Sequence, residues 1–504
     1  MWEEHTRPRE QGMFGELEAV ITILGPGIAG ALLGLTLATH KFPAELGMGA
    51  LLAGIFGLVA NLLIALYVVL WDSLGAQVFT PQALSIAKWS PFVGGIAFFV
   101  LGAQSAFKDT RLSFLHQSLY LKCSELVLIG LALTLIVLVL YQTILLPVSS
   151  WDGLGLWTTE AHKFLRFDVQ QVATLVVNDQ GVVFSVTRDM GVPYPGDHPR
   201  HPLTVVFLSA FTGAGTMEAN SVRGWLAAWS SIWLCLAAMV WGFVSWVSCN
   251  RVLGALAVCV LCSVPLLENH STLVGYADFW ITVSVVASVS VNTAALLLRN
   301  YRILLFGLAL GLLPLAMKNI GVLYVIATWC PLLAMFAFQR FGYRFAAFLL
   351  MLLLGASLAL PSGFDFELLG QRVALVNDEG LTVIFGGYAF PFTLFPFFDV
   401  LQNLRHALFV NQSFSVIFLF GILGIINLVA KKDTLCNAED FAVTYLLLVA
   451  ASIVVAFMAP QFVAEYALTY AVPSSDVGNS RFIMVIAPIL ILTIGFWGKQ
   501  VLKN

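Results

Sequence analysis

The sequence predicts an all-α polytopic membrane protein, and three observations lead to that prediction. Of the 504 residues, 59% are hydrophobic and 11% are charged, with a mean hydropathy of +0.90, whereas a soluble domain has roughly 25% charged residues. Apolar runs recur at about the 20-residue length that a helix needs to cross a bilayer. The polar residues concentrate in a few long segments between those runs. The formal net charge of −3 predicts no nucleic-acid partner.

The apolar runs predict about thirteen transmembrane helices. Residues 1–16 have no net positive charge, and the run after them is longer than the apolar core of a signal peptide, so no cleavable signal is predicted. The third, sixth and eighth candidates are the shortest. The candidate spans are 17–38, 47–71, 91–106, 124–147, 221–247, 252–267, 276–298, 302–317, 319–338, 345–361, 411–430, 440–459 and 482–498.

Positive charge predicts the orientation of these helices, because loops rich in Lys and Arg remain in the cytoplasm. Basic short loops alternate with acidic or mixed loops, which places the C-terminus inside and, with an odd helix count, the N-terminus outside. The outer side then holds the long loops 148–220, 268–275, 362–410 and 460–481. The basic residues of the inner side are Lys108, Arg111, Lys122, Arg251, Arg299, Arg302, Arg340, Arg344, Lys431, Lys432, Lys499 and Lys503.

The first outer loop opens with a carboxylate at the mouth of a predicted span. Asp152 follows Trp151 and precedes a glycine. Partial removal from water makes a carboxylate more basic, as a general base for an acceptor hydroxyl needs to be. Asp is also a favoured helix N-cap, so both roles stay open for Asp152.

An interfacial helix is predicted directly after Asp152. Apolar residues recur there at spacings of three and four, which gives one apolar face lying along the membrane surface. The opposite face has Glu160, Lys163 and Arg166, and Glu160 and Lys163 have the spacing of a one-turn pair. A purely structural helix with solvated charges is the alternative. The apolar residues are Leu154, Trp157, Ala161 and Phe164.

Arg200 and His201 lie in a proline-rich stretch that ends the same loop. The prolines favour an extended path, and Arg and His on such a path could bind a phosphate. Asp and His side chains in this stretch leave a divalent metal site open, because sequence does not define which ligands converge in space.

Four more charged residues lie at predicted outer helix ends. Glu268 and Asp278 belong to the second outer loop region, and Asp278 begins a helix, where the helix dipole favours an anion; a helix cap is the alternative. Lys318 is flanked by apolar residues and Arg481 begins the last span. Each could hold a lipid phosphate as a fixed cation, or Lys318 could extend its amine to the membrane surface.

Five segments in chain order resemble motifs of bacterial multi-span glycosyltransferases of the GT-C superfamily, in particular the family 39-like enzymes. SWDGLGLWTTEAHKFLRF resembles their first-loop motif that begins with Trp-Asp, and HPRHPLTVVFLSAF their proline-rich segment. GYADFW, MKNIGVL and NSRFIMVIAP are similar to their Gly-Tyr-Ala-Asp, Lys-Asn-Glu-Gly and C-terminal Arg motifs. The likeness extends from about residue 120 to 490. Ile320 stands where the family often has an acid, so no acid role is expected there.

The resemblance implies an inverting transfer of a hexose or pentose from a polyprenyl-phosphate carrier to the hydroxyl of a lipid, polysaccharide or protein acceptor. It implies a GT-C-like fold in the bacterial cytoplasmic membrane, with the active site on the periplasmic face and interfacial helices in the outer loops. The N-terminal membrane helices, 1–123, then precede a catalytic module, 124–504, that includes outer loops 148–220, 362–410 and 460–481. Membrane lipids are the surrounding partners. No cofactor is certain, and a divalent metal stays open.

Residue roles follow from the same resemblance. Asp152 is implied as the general base, and Asp278 as a second acid that positions the acceptor or the sugar. The donor phosphate would be held by Lys318 and Arg481, with Arg200 or His201. The substrate-positioning residues expected around them are Trp151, Trp157, Glu160, Lys163, Tyr276 and Glu268.

Three other functions remain as alternatives. A polymer ligase of the O-antigen type is the nearest, because it would also use an outer loop and cations. A transporter or flippase of lipid-linked glycans predicts polar residues through the spans and symmetry between the halves, and the sequence has neither charge-lined spans nor a clear internal repeat. A membrane scaffold has no need for acids and cations on one face.

Overall fold

The structure, a computed structural model, describes part of the chain. Outside the described residues lie most of the long loops and several of the predicted spans, including 17–38, 91–106 and 411–430. The described residues are 46–73, 123–145, 171–178, 181–188, 223–272, 277–317, 321–344, 347–349, 351–352, 355, 364–368, 371–377, 381–385, 388–392, 405, 438–458 and 484–501.

Helices dominate the described residues, as the sequence predicts. They are α1 Leu46–Ser73, α2 Cys123–Leu145, α3 Arg223–Ser248, α4 Arg251–Cys262, α5 Pro265–Thr272, α6 Ala277–Leu298, α7 Tyr301–Leu310, α8 Gly321–Phe341, α9 Ala438–Met458, α10 Ile486–Leu492 and α11 Ile494–Val501, with a 3₁₀ turn at Leu313–Ala316.

Five of these helices, α2, α3, α6, α8 and α9, are long and apolar enough to cross a membrane, and the bent pair α4 and α5 gives a sixth if it counts as one span. Segments of 13 to 15 residues within α1, α7 with its 3₁₀ turn, and α10 with α11 are apolar but shorter. The chain is therefore a helical membrane protein. The count of about thirteen spans extends over residues outside the described ones and stays a prediction.

The centre of the bundle is α6. Of the α6 span, 89% is buried within the protein, against 78% of the α3 span and 17% of the α2 span. Helix α6 contacts α3, α7, α8 and α9, whereas the main contacts of α2 among the described helices are with α3, α4 and α5. Several leucine and valine side chains of α2 are more than half exposed, as at Leu126 and Val127, which is the pattern of a helix that faces lipid.

Helix α1 is joined to α3 by glycines. A methyl group on Gly47 would lie 2.7 Å from the backbone nitrogen of Trp246, and one on Gly242 would collide with the backbone of α1 at Leu51. Small residues allow helix backbones to approach this closely, which is how membrane helices gain packing energy. A predicted N-terminal helix thus packs on a helix of the predicted catalytic module, and the division at residue 123 stays a prediction.

The sixth candidate span, 252–267, is a bent pair of helices, which counts as one span only if the pair crosses the membrane together. Helices α4 and α5 meet at an angle of 73°. Pro265 begins α5, and proline at the first turn of a helix is favoured because its missing N–H is not needed there. The predicted outer loop 268–275 is corrected by the same observation, since its first five residues complete α5.

One end of the bundle is formed by the basic residues of the predicted inner side. Gly495 of α11 lies against Val244 and Val247 near the end of α3, and Gly498 lies against Leu253 near the start of α4. Lys499 Nζ is 2.6 Å from Glu439 Oε1 at the start of α9. Arg251 at the start of α4 and Lys499 near the end of α11 therefore lie at the same end of the bundle, as the predicted inner loops require. Which membrane face that end occupies stays a prediction.

Two predicted outer loops contain β-strands, which the all-α prediction omits. Loop 148–220 holds the antiparallel hairpin β1 Gln171–Asn178 and β2 Gly181–Arg188, in which Asn178 pairs with Gly181. Loop 362–410 holds a four-stranded antiparallel meander in the order β3-β4-β5-β6. Its strands are Phe364–Leu368, Gln371–Asn377, Leu381–Phe385 and Tyr388–Phe392. The predicted interfacial helix near 154–166 lies outside the described residues.

Candidate functional site

Asp278 is the best-defined of the predicted site residues. It lies in the first turn of α6, as its position after Gly-Tyr-Ala predicts, and it is 1% exposed. Its backbone oxygen accepts a 2.8 Å hydrogen bond from Thr282 Oγ1. A carboxylate in the first turn is stabilised by the N-terminal end of the helix dipole. The fold therefore holds an acid inside the protein at the end of the bundle opposite the basic residues.

Aromatic side chains fix the start of α6 against α3. The rings of Trp229 and Trp280 meet edge to face with centroids 5.5 Å apart, and Trp233 stacks on Phe279 at 5.8 Å. All four side chains are fully buried. Pairs of this kind add stabilisation beyond the area they bury, so the helix turn that contains Asp278 has a defined position.

Helix α5 places two further polar residues at this end of the bundle. Glu268 is partly exposed, and His270 is 4% exposed with Nδ1 2.9 Å from the oxygen of Leu266. Ser271 Oγ donates a 2.8 Å hydrogen bond to the oxygen of Glu268. Because α5 turns away from α4 by 73° and contacts α2, α3, α4 and α6, it covers the end of the helices that it meets.

These residues supply carboxylate and imidazole groups, which can accept or donate protons or hold a hydroxyl group. The indole N–H groups of Trp233 and Trp280 are buried and meet no acceptor within the part of the chain that the structure describes. Among those same residues, no three His, Cys, Asp or Glu side chains converge as metal ligands. The divalent metal site predicted in the proline-rich stretch lies outside the described residues and stays a prediction.

Ten predicted site residues lie outside the described residues, so the structure does not test their grouping. The residues are Asp152, Lys318, Arg481, Arg200, His201, Trp151, Trp157, Glu160, Lys163 and Tyr276. Met317, which precedes Lys318, is fully buried, and its sulfur lies 3.6 Å from Ser284 Oγ on α6. Ser284 is within two turns of Asp278 along that helix.

A buried polar seam along α6 is the feature that sequence reasoning missed. Ser288 Oγ donates a 2.7 Å hydrogen bond to the oxygen of Gly307 on α7. Asn292 Nδ2 donates to Tyr445 Oη on α9 at 3.0 Å, and Tyr445 Oη donates to the oxygen of Thr328 on α8 at 3.2 Å. The signal was present in the spacing of Ser284, Ser288 and Asn292, which recur every four residues and share one face of the helix. The seam joins four helices and is closed to solvent.

The fold and this site define a multi-helix membrane protein with a buried acid at one end of its bundle. Scans against protein-family models, curated proteins and solved structures return no match.

Proposed function

We propose that the chain is an inverting glycosyltransferase that moves a sugar from a polyprenyl-phosphate carrier to an acceptor hydroxyl. The observation that most supports it is the burial of Asp278 at the end of the bundle away from the basic residues. A carboxylate is costly to bury in a membrane protein, which makes a buried acid a candidate for a functional role. The proposal that the reaction is a sugar transfer comes from the five segments that resemble GT-C motifs.

In the proposed reaction, the acceptor oxygen attacks the anomeric carbon while the bond from that carbon to the phosphate oxygen breaks. Polyprenyl phosphate leaves with the bonding electron pair, and the acceptor proton passes to the carboxylate of Asp152. Cations at Lys318 and Arg481, with Arg200 or His201, offset the negative charge that develops on the phosphate. Asp278 holds the acceptor or the sugar in line for attack, with His270 and Glu268 nearby in the chain.

A second candidate, a flippase of lipid-linked glycans, is favoured by one observation, the polar seam of α6. A transport pathway requires polar groups within the spans. The seam residues Ser288 and Asn292 are fully buried and bond to neighbouring helices. Interhelical hydrogen bonds of this kind hold membrane helices together. The seam therefore supports helix association better than transport, and the transferase remains the preferred function.

Asp440 provides a matched control for Asp278. Each is a buried Asp in the first turn of a membrane-spanning helix, and each has a backbone oxygen that accepts a hydrogen bond from a Thr four residues later. Asp440 lies at the basic end. A structural role common to first-turn acids would give Asp278→Asn and Asp440→Asn the same phenotype.

The test measures sugar transfer by purified protein in nanodiscs, with a panel of undecaprenyl-phosphate hexoses and pentoses as donors. We expect Asp278→Asn to slow transfer by on the order of a hundredfold, the usual result of misplacing a reacting group. Asp440→Asn should retain activity, and Asp152→Asn should abolish it because an amide cannot accept the proton. Equal losses in both first-turn variants, with equal loss of thermal stability, would assign Asp278 a structural role. Normal transfer by Asp152→Asn would refute the base assignment.

A further inference from the structure

A cavity of about 460 Å³ opens at the basic end of the bundle, where α6 turns into α7. Its walls also include residues of α8 and the first turn of α9. Sites that take small ligands have volumes of roughly 300–1,000 Å³, so this cavity can accept a headgroup-sized ligand. The lining residues used below are Leu296, Arg299, Tyr301, Phe336, Ala438 and Phe441.

The cavity lies at the opposite surface of the protein from Asp278. Helix α6 has 22 residues, a length of about 33 Å at 1.5 Å per residue, which is close to the ~30 Å hydrocarbon thickness of a bilayer. Asp278 is at its start and Arg299 follows its end. The cavity is therefore separate from the proposed transferase site, and the inference below does not depend on that function.

Arg299 supplies a cation to the cavity from a fixed turn. Its φ is +51°, and its N–H bonds to the oxygen of Leu296 at 3.3 Å while the N–H of Asn300 bonds to the oxygen of Ala295 at 3.0 Å. Asn300 Oδ1 then caps α7 by accepting from the backbone N–H of Arg302 at 3.0 Å. The helix end and the helix start are thus joined without a mobile linker, which holds Arg299 at the rim.

The remaining walls suit a lipid better than a free anion. Leu296 and Phe441 form a nearly buried floor, and Phe336 and Tyr301 are 38% and 67% exposed at the rim. Apolar and aromatic side chains at the level of helix ends are where acyl chains and headgroups meet. A free phosphate would gain nothing from these walls.

The charges around the cavity favour an anion. Arg302 and Arg340 are exposed at the same end, and Arg302 Cζ lies 5.9 Å from the centre of the Tyr301 ring. Two acids, Glu439 and Asp440, lie in the chain between the lining residues Ala438 and Phe441 but do not line the cavity. Glu439 is paired with Lys499 at 2.6 Å, and Asp440 is 4% exposed, so neither presents a free charge at the rim.

We propose that this cavity binds an anionic phospholipid, with the headgroup phosphate at Arg299 and the upper part of an acyl chain against Leu296, Phe336 and Phe441. Basic pockets between membrane helices are a recurring type of binding site for anionic lipid headgroups. A lipid bound in this cavity would contact α6, α7, α8 and α9 at one membrane surface and so stabilise their packing there.

The test uses native mass spectrometry of the full chain with added phosphatidylglycerol, phosphatidylcholine or inorganic phosphate. Arg299→Asn removes the charge and keeps the turn, because Asn tolerates a positive φ. We expect phosphatidylglycerol retention to fall about fivefold, the effect of removing one basic residue at an anionic lipid surface. Ala438→Trp, which fills the cavity without changing charge, should lower retention to a similar degree.

Arg251→Gln is the matched control, because Arg251 is a cation at the same end that does not line the cavity. Unchanged phosphatidylglycerol retention in both Arg299→Asn and Ala438→Trp would overturn the proposal. Equal loss in Arg251→Gln would also overturn it, by showing that surface charge alone retains the lipid. Displacement by inorganic phosphate, or equal retention of phosphatidylcholine, would assign the cavity to a free anion or to lipid in general.

Discussion

Helices α2 and α6 have nearly the same length and opposite surroundings. Helix α2 is composed mainly of Leu, Val and Ile and leaves most of its surface exposed, whereas α6 includes Ser284, Ser288, Ser290, Asn292 and Thr293 and is almost wholly buried. In water the more apolar helix would be the inner one. In a bilayer, lipid tails solvate Leu as well as a protein core does, so small and polar residues determine which helix is inside.

The largest difference in stability between variants around α6 and variants in α2 should come from replacing glycines. Gly307 of α7 faces Asn292 so closely that an added methyl group would collide with its side chain, whereas no atom of the described residues lies within 4 Å of a methyl group added to Gly130 of α2. We expect Gly307→Leu to destabilise the protein by at least about 3 kcal/mol, at the upper end of overpacking costs. Gly130→Leu should not destabilise the protein, because leucine has a higher helix propensity than glycine.

Unfolding of the two leucine variants in mixed micelles, followed by far-ultraviolet circular dichroism, measures the difference. Similar stabilities for both would contradict the close approach of α7 to α6.

The second comparison uses two apolar side chains of similar size. Ile281 of α6 is fully buried and Leu133 of α2 is 56% exposed. Truncation of a buried Ile to Ala leaves a cavity and costs about 2–5 kcal/mol, so we expect Ile281→Ala to lower the unfolding free energy by about 2 kcal/mol. Leu133→Ala should have little effect because lipid fills the space. A larger loss for Leu133→Ala would indicate that another part of the chain packs on α2.

Much of the helical architecture was predictable because long apolar runs have few alternatives in a membrane. The candidate spans 124–147, 221–247, 276–298, 319–338 and 440–459 differ from the observed helices by only a few residues at either end. The position of Asp278 in a first turn was also predictable. The lengths of the apolar runs could not show which helix is central, because that depends on the polar seam residues of α6. Those residues only lower the mean hydropathy of the run slightly, so an average over the run does not reveal them.

The other errors have local physical causes. Pro265 marks the bend between α4 and α5, and an apolar run through a bend looks like one helix. The meander of loop 362–410 has Gly-rich connections, including the two residues between Phe385 and Tyr388 that join β5 and β6, which is a recognised hairpin signal. The grouping of acids and cations from distant loops depends on tertiary structure, which one sequence does not define.

The smallest effect that distinguishes α2 from α6 should come from hydroxyl groups. Tyr445 Oη bonds to Asn292 and to the oxygen of Thr328 inside the bundle, whereas Thr134 Oγ1 of α2 bonds only within its own helix, to the oxygen of Gly130 at 2.8 Å. We expect Tyr445→Phe to cost about 0.6 kcal/mol and at most about 1.7 kcal/mol, the average and the maximum found for hydrogen bonds between membrane helices. Thr134→Val should be neutral, because the Thr134 hydroxyl bonds to no second helix among the described residues. A double-mutant cycle of Tyr445→Phe with Asn292→Leu isolates the interhelical bond. A coupling energy near zero would mean that the bond between Asn292 and Tyr445 does not stabilise the packing of α6 on α9.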